Sequence, residues 1–490
     1  MLLKKYLISF LSTNGGQSTA NSIVSSVFVR LLDKGLGFLK VLIIATVVGL
    51  SFRVDVFYLS VLIISSIGFI WANALDYSIV PKMVELYNLD FEKFRNYNTK
   101  TIIYCFSFSL LLSILFYFLI PKLIIFFWKD SHVNREALTY SFKTLLPVLV
   151  FYLPYRYIGA ILRVTKTYNW FYFGELVVSI VTLLLLIIFR ENAFILELSY
   201  IFAIITAFFS ILFVSKKYFN FSEKPNYRIS NLKSVKFYFL ILLCLESLFQ
   251  FCDKYYVSLL EEKSISYYTI AATFISIIPY VVSLTGPFLI EYQNKIIDKS
   301  KIEATDYVLV MFKKLVFLSV LLAFISGLLI KYLIPLFFLH GKFNNEDSVI
   351  ISNIIITSLF NFLPLSILPL LDQICYVNKF HKYTIGRYLI GILAIILFNN
   401  YVFANYGFSL TQVVYSTIFG NYLMLFFYLF SLNYSGINLK SIAIDFVFYL
   451  LLCLLLVGIQ TYNFYFKSLL LFSVILIYYY FRVKQKISNS

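Results

Sequence analysis

The sequence predicts an all-α polytopic membrane protein of about fourteen transmembrane helices, set out as two pseudo-symmetric six-helix lobes with two further helices at the C-terminal end. Three observations carry that prediction. Of 490 residues, 61% are hydrophobic and only 13% charged, with a mean hydropathy of +0.85. A water-soluble fold has no interior large enough to hide so much apolar surface. Apolar runs of the roughly 20 residues needed to cross ~30 Å of hydrocarbon recur along the whole chain. Lys and Arg gather in every second connection between those runs, the pattern of a chain whose even-numbered loops face the cytoplasm.

Taken in order, the chain starts with MLLKKYLISFLSTNGGQSTANS, whose apolar stretch Tyr6–Leu11 is shorter than the core of a signal peptide and reads as a cytoplasmic leader. Spans are expected at 22–48, 54–80, 101–127, 138–162, 170–189, 194–215, 235–259, 266–290, 308–338, 348–377, 384–402, 409–432, 441–461 and 465–482. The leader and six spans make a first lobe, 1–220; six more make a second, 221–435; two spans and a cytoplasmic tail fill 436–490. No connection is long enough for a soluble domain. The N-terminus and even loops hold Lys4, Lys5, Lys82, Lys93, Arg95, Lys100, Arg163 and Lys166, then the cluster Lys216, Lys217, Lys224, Arg228, Lys233 and Lys236. Lys295, Lys299, Lys301, Lys379, Lys382, Arg387, Lys440, Arg482, Lys484 and Lys486 continue the series. Odd loops hold mainly Arg53, Lys129, Arg135, Arg190, Lys263 and Lys342. Both termini are therefore expected in the cytoplasm. Much of the +17 formal charge is topological and gives no reason to invoke nucleic acid. A faint echo, LLDKGLGF in the first span and FCDKYYVS in the seventh, fits repeated halves, a common way to build a transporter.

Charges inside the spans need a reason. VRLLDKGLGFLKVLI places Arg30, Asp33, Lys34 and Lys40 in the first span, and each ionised side chain at the bilayer centre costs ~2.5–3.5 kcal/mol on insertion scales. At about 100° per residue Arg30, Asp33, Lys34 and Gly37 share one helical face, with Lys40 at its edge. In the seventh span Glu246, Gln250, Asp253 and Lys254 likewise share a face. Arg156 sits in the fourth span and Asp55 begins the second. Asp372 and Gln373 follow Pro364 and Pro369, which can kink a helix and free its carbonyls. Each charge read alone suits a buried structural pair. The whole set suits a solvated interior with a basic excess, and such an interior suits an anion: Arg offers phosphate a bidentate fork and Lys a point charge. Phosphate, carboxylate and internal counter-ion all remain open on these grounds. Arg163 and Glu175 read as interfacial, and Glu261, Glu262 and Lys263 as a solvated loop.

The five cysteines, Cys105, Cys244, Cys252, Cys375 and Cys453, lie in apolar runs without a CxxC pair, and the three histidines, His132, His340 and His381, are far apart. Inert thiols are expected, and no metal or other cofactor site is legible.

GLGFLKVLIIATVVGLSFRVDVFYLS (Gly35–Ser60) resembles the opening of the MurJ/MviN family of lipid II flippases, in the superfamily that also holds Wzx oligosaccharide flippases and MATE exporters. NALDYSIVPKMVELY, YIGAILRVTKTYNWF and FLHGKFNNED follow in the expected order, so the resemblance runs over roughly 20–430. It implies a cationic cavity for a lipid diphosphate. Lys34 and Lys40 match basic positions flanking GLGF, and Asp55 matches an aspartate at the start of the second span. Where the family has an Arg-Asp pair, this chain has Lys40-Val41; ISSIGFIWA and the eighth span lack the family's basic residues, and Lys254 stands in the seventh. The reading is a flippase moving a polyprenyl-diphosphate-linked glycan, lipid II or a polysaccharide repeat unit, across the bacterial cytoplasmic membrane by alternating access. Arg30, Lys34, Lys40, Lys254 and Arg156 are its diphosphate ligands. Asp33, Asp55, Glu246, Asp253 and Asp372 tune those cations or bind a coupling proton or sodium ion, and the C-terminal spans shelter the lipid tail. A drug or cation exporter of the same superfamily would want an acidic cavity. A membrane glycosyltransferase or polymerase on the same lipid would want a longer outer loop, and a transport-inactive scaffold stays open.

Overall fold

The structure, a computed structural model, describes residues 32–128, 134–165, 167–190, 194–220, 237–282, 301–378, 380–434 and Tyr449. Arg30, the leader, Pro287, Cys453 and, Tyr449 apart, the spans expected at 441–461 and 465–482 lie outside the described residues. Every long element among the described residues is a helix. α1 covers 32–43 and continues into the wider turn Ile44–Val48. Then come α2 (Phe52–Leu89), α3 (Phe91–Phe127), α4 (Arg135–Val164), α5 (Tyr168–Ile188), α6 (Ile195–Ser215) and α7 (Phe237–Ser258). α8 (Ser264–Val282), α9 (Lys301–Phe338), α10 (Asn345–Ser358), α11 (Phe362–Val377), α12 (His381–Tyr406) and α13 (Leu410–Tyr434) complete the series. Among the described residues, nine stretches are long and apolar enough to cross a membrane, and the chain is a multi-pass membrane protein. α7 falls outside that group because it carries Glu246, Asp253 and Lys254, and α1, with Asp33, Lys34 and Lys40, because its described part is too short.

Polar residues set the helix ends. Gly49, at φ +86°, turns the chain after α1 through a region closed to most side chains. Asp90 ends α2 and caps α3, accepting from the Lys93 N–H at 3.0 Å. Asn134 caps α4 through the Glu136 and Ala137 N–H groups. Asn344 and Asp347 form a reciprocal box at the start of α10.

The described residues form two compact units. The first runs through Lys254 and adds Glu261–Ser266; the second takes Tyr255–Leu260 and the described residues from Tyr267 onward. In the first, α4 is the central helix, packed on α2, α3 and α6. Its most apolar stretch is 72% buried against 22% for α3, so α3 turns most of its surface to lipid. Asn98 on α3 accepts from the Tyr157 hydroxyl and donates to the Tyr218 carbonyl, tying α3 to α4 and to the turn after α6. In the second unit α13 packs on α10, α11 and α12.

Prolines are answered by hydroxyls in both units. Pro154 removes the donor for the Val150 carbonyl, and Ser109 Oγ on α3 donates there at 2.9 Å. The span expected at 348–377 is one continuous apolar stretch, Asn345–Cys375, in which α10, the short turn Leu359–Asn361 and α11 follow without a gap. The carbonyl that Pro364 leaves without its helical donor, Phe360, accepts from Tyr422 at 2.8 Å. Tyr449, inside the expected thirteenth span, donates its hydroxyl to the Leu359 carbonyl.

Candidate functional site

In the first unit, α1, α4 and α5 bring charged side chains together. Asp33, Lys34 and Lys40 are half-buried on α1. Ser179 Oγ on α5 donates to Asp33 Oδ1 at 2.9 Å, holding α1 against α5. Lys40 lies within electrostatic reach of Asp33 and Lys34. On α4 the buried Tyr155 lies within reach of Asp33, of the half-buried Arg156 and of Glu175 on α5. Its hydroxyl has no hydrogen-bond partner among the described residues, an arrangement that ordinarily costs about 1–3 kcal/mol. Gly174 permits this approach: a Cβ there would stand 2.9 Å from that hydroxyl.

Four of the residues singled out from sequence therefore share one neighbourhood: Asp33, Lys34, Lys40 and Arg156. Tyr155, Glu175 and Ser179 join them without having been singled out as ligands. The signal for the last two was present, since Glu175 and Ser179 stand four residues apart on one face of α5. Glu246, Asp253 and Lys254 form a second, half-buried set on α7, where Asp253 accepts from the Lys254 backbone N–H at 2.8 Å.

Two other acids are engaged elsewhere. Asp55 is buried in the first turn of α2 and accepts from the Ser266 N–H at 2.8 Å and from the Ser266 hydroxyl, so it caps the start of α8. Asp372 on α11 lies 2.7 Å from Arg387 on α12 and accepts from Tyr428 on α13 at 2.5 Å. Arg387, read from sequence as a cytoplasmic loop cation, is only 4% exposed, its guanidinium 4.0 Å from the Tyr388 ring centroid. The correction has a simple cause: Asp372 supplies the counter-charge that lets an arginine be buried.

The N-terminal turns of α2, α4 and α6 border a further cavity of about 490 Å³. There the buried Glu197 accepts from Ser141 at 2.9 Å and faces Arg53 at 3.7 Å. The described cysteines are free thiols, and no group of three His, Cys, Asp or Glu able to hold a metal occurs among the described residues.

Solved structures give the fold. The chain is similar to a structure described as lipid II flippase MurJ in an inward closed conformation, with a TM-score of 0.74 at 18% identity over 95% of this chain and 100% of that one. A superfamily transporter from Pyrococcus furiosus, described as having a binding pocket of reverse polarity, matches with a TM-score of 0.61 at 13% identity, over 85% of this chain and 96% of that one. An inward-facing multidrug resistance MATE transporter gives 0.61 at 12% identity, over 86% and 96%. The chain thus shares its fold with these three proteins. No curated protein sequence matches the chain. The family described as lipid II flippase MurJ matches residues 44–481, and the chain belongs to that family, whose members are transporters rather than enzymes.

Proposed function

We propose that this chain moves a polyprenyl-diphosphate-linked glycan, lipid II in the first instance, from the cytoplasmic to the outer leaflet of the bacterial cytoplasmic membrane by alternating access, with both termini cytoplasmic. The observation that carries the reading is the gathering of Lys34, Lys40 and Arg156 around Asp33 and the unpartnered Tyr155 hydroxyl inside the first unit. A diphosphate offers oxygens to both ammonium groups and to the guanidinium fork, and low dielectric strengthens each contact. Tyr155 is placed to donate to the same group. Arg30 and Lys254 complete the cationic set. Asp33, Glu246 and Asp253 tune these cations or take a coupling proton or sodium ion. Asp55 and Asp372 suit that role less well, because Ser266 and the Arg387–Tyr428 pair already engage them. The chain is organised as lobes 1–220 and 221–435, with 436–490 sheltering the lipid tail. The basic excess argues against a cation exporter.

The test is leaflet accessibility of a fluorescent lipid-linked glycan in vesicles containing the full chain. Lys34→Ala and Lys254→Ala are expected to slow translocation by about tenfold or more, the loss of one charge-assisted contact each. Translocation at the normal rate by both variants would overturn the reading.

A further inference from the structure

We infer that a lipid-facing groove between α3 and α4 binds the phosphate headgroup of an anionic phospholipid, with Lys143 as its cation. The groove has a volume of about 510 Å³ and is lined by Ser113, Tyr117 and Phe118 of α3 and by Lys143, Pro147 and Phe151 of α4. Tyr117 and Phe118 are exposed on the helix that buries least of its surface. Lys143 Nζ stands 4.2 Å from the Tyr117 ring centroid. No acidic side chain pairs with it among the described residues.

Depth decides what this lysine meets. Lys143 follows the start of α4 at Arg135, and Tyr117 precedes the end of α3 at Phe127. At 1.5 Å per residue both lie about 12–15 Å from the α3–α4 connection. In a bilayer about 40–45 Å thick only about 5–8 Å on each side is headgroup, so both backbones sit several ångström inside the hydrocarbon and within a lysine stem's reach of the phosphates. Helical side chains lean toward the N-terminus of their helix, so the Lys143 stem leans toward the headgroups. The face of an aromatic ring attracts an ammonium, but more weakly than hydrocarbon penalises one. A phosphate oxygen supplies the missing counter-charge. Lys122, exposed one turn beyond Phe118 on α3, adds a second cation on that face. Phe118, Pro147 and Phe151 are apolar walls for the first methylenes of an acyl chain.

The site lies apart from the charged cluster of α1, α4 and α5, so it concerns a resident lipid rather than the transported one. Native mass spectrometry of the full-length chain, given phosphatidylglycerol or phosphatidylcholine, tests it. The unaltered chain is expected to retain phosphatidylglycerol in preference. Lys143→Met, which keeps the apolar stem, is expected to reduce that binding about tenfold, while Lys143→Arg preserves it. Equal retention of the two lipids by the unaltered chain would overturn the inference. So would phosphatidylglycerol binding by Lys143→Met as strong as that of the unaltered chain.

Discussion

In the first unit Lys34, Lys40 and Arg156 stand half-buried around Asp33, with a buried tyrosine hydroxyl beside them that has no partner among the described residues. In the second unit Asp372 and Arg387 meet at 2.7 Å and Tyr428 completes the carboxylate's shell. Both sets place charged side chains on packed helices of a membrane protein, and they differ in how the charge is closed. The second is internally neutral and joins α11, α12 and α13 as a polar cross-link. The first gathers three cations, Lys34, Lys40 and Arg156, with two acids, Asp33 and Glu175, all half-buried. A charge closed by one tight ion pair reads as structural, whereas a mixed cluster of half-buried charges is the kind of arrangement in which binding sites are found.

The largest expected effect breaks the first set. Lys34→Ala combined with Lys40→Ala should lower translocation by about a hundredfold if each lysine contributes one charge-assisted contact, with little change in the thermal unfolding midpoint. Vesicle transport and thermal unfolding of the same preparations separate the two. A loss of stability matching the loss of transport would make the cluster structural like the other. The reverse holds for the second set. Arg387→Ala leaves the half-buried Asp372 carboxylate without its ion-pair partner and should cost about 3 kcal/mol, the lower end for breaking such a pair. Asp372→Leu with Arg387→Met, which removes both charges, should return most of that stability. Denaturant unfolding of the single and double variants checks this, and a double variant no more stable than the single would argue against the pairing.

The apolar runs made the helices legible because length and hydropathy alone place a span. They missed the tail of α2, which continues to Leu89 past the expected end at 80, since a helix leaving the membrane loses the apolar signal without losing its hydrogen bonds. The prolines of the tenth span announced a kink and freed carbonyls, but only the fold shows that Tyr422 satisfies one of them. Periodicity found Asp33, Lys34 and Lys40 because they share one helix. Tyr155 was illegible, as one of 40 tyrosines in a chain where aromatic belts are expected. Arg387 was misread for a related reason: the bias of basic residues toward even loops says where a cation lies along the chain, and nothing about the acid folded against it.

A smaller effect sharpens the comparison inside the first unit. Gly174→Ala would press a methyl group to 2.9 Å from both the Tyr155 hydroxyl and Ile211 Cγ2, and overpacking of this kind costs about 1–3 kcal/mol. If the hydroxyl serves the ligand, transport should fall further than stability does. Gly37→Ala meets nothing within 4 Å and should gain about 0.5–1 kcal/mol from helix propensity. Unfolding midpoints alongside transport rates distinguish the two glycines. Equal behaviour would mean that Tyr155 is not held at its distance by Gly174.

The smallest effect belongs to a carboxylate outside both sets. Asp90 is exposed at the corner between α2 and α3, and the Lys93 N–H it accepts, followed by the Lys93 ammonium, holds its pKa below the ordinary carboxylate value. A depressed folded-state pKa means the contribution is complete above the unfolded value, about 3.9, and is lost as pH falls through the folded one. Asp90→Asn keeps an oxygen that can cap α3 but cannot titrate. The difference in unfolding midpoint between the two proteins should therefore be flat near neutrality and shrink only below about pH 4. A difference that changed between pH 5 and 8 would assign the titration to another group. Because water already solvates Asp90, its removal should disturb the fold far less than exposing Asp372, and that contrast isolates what the membrane adds to the cost of a charge.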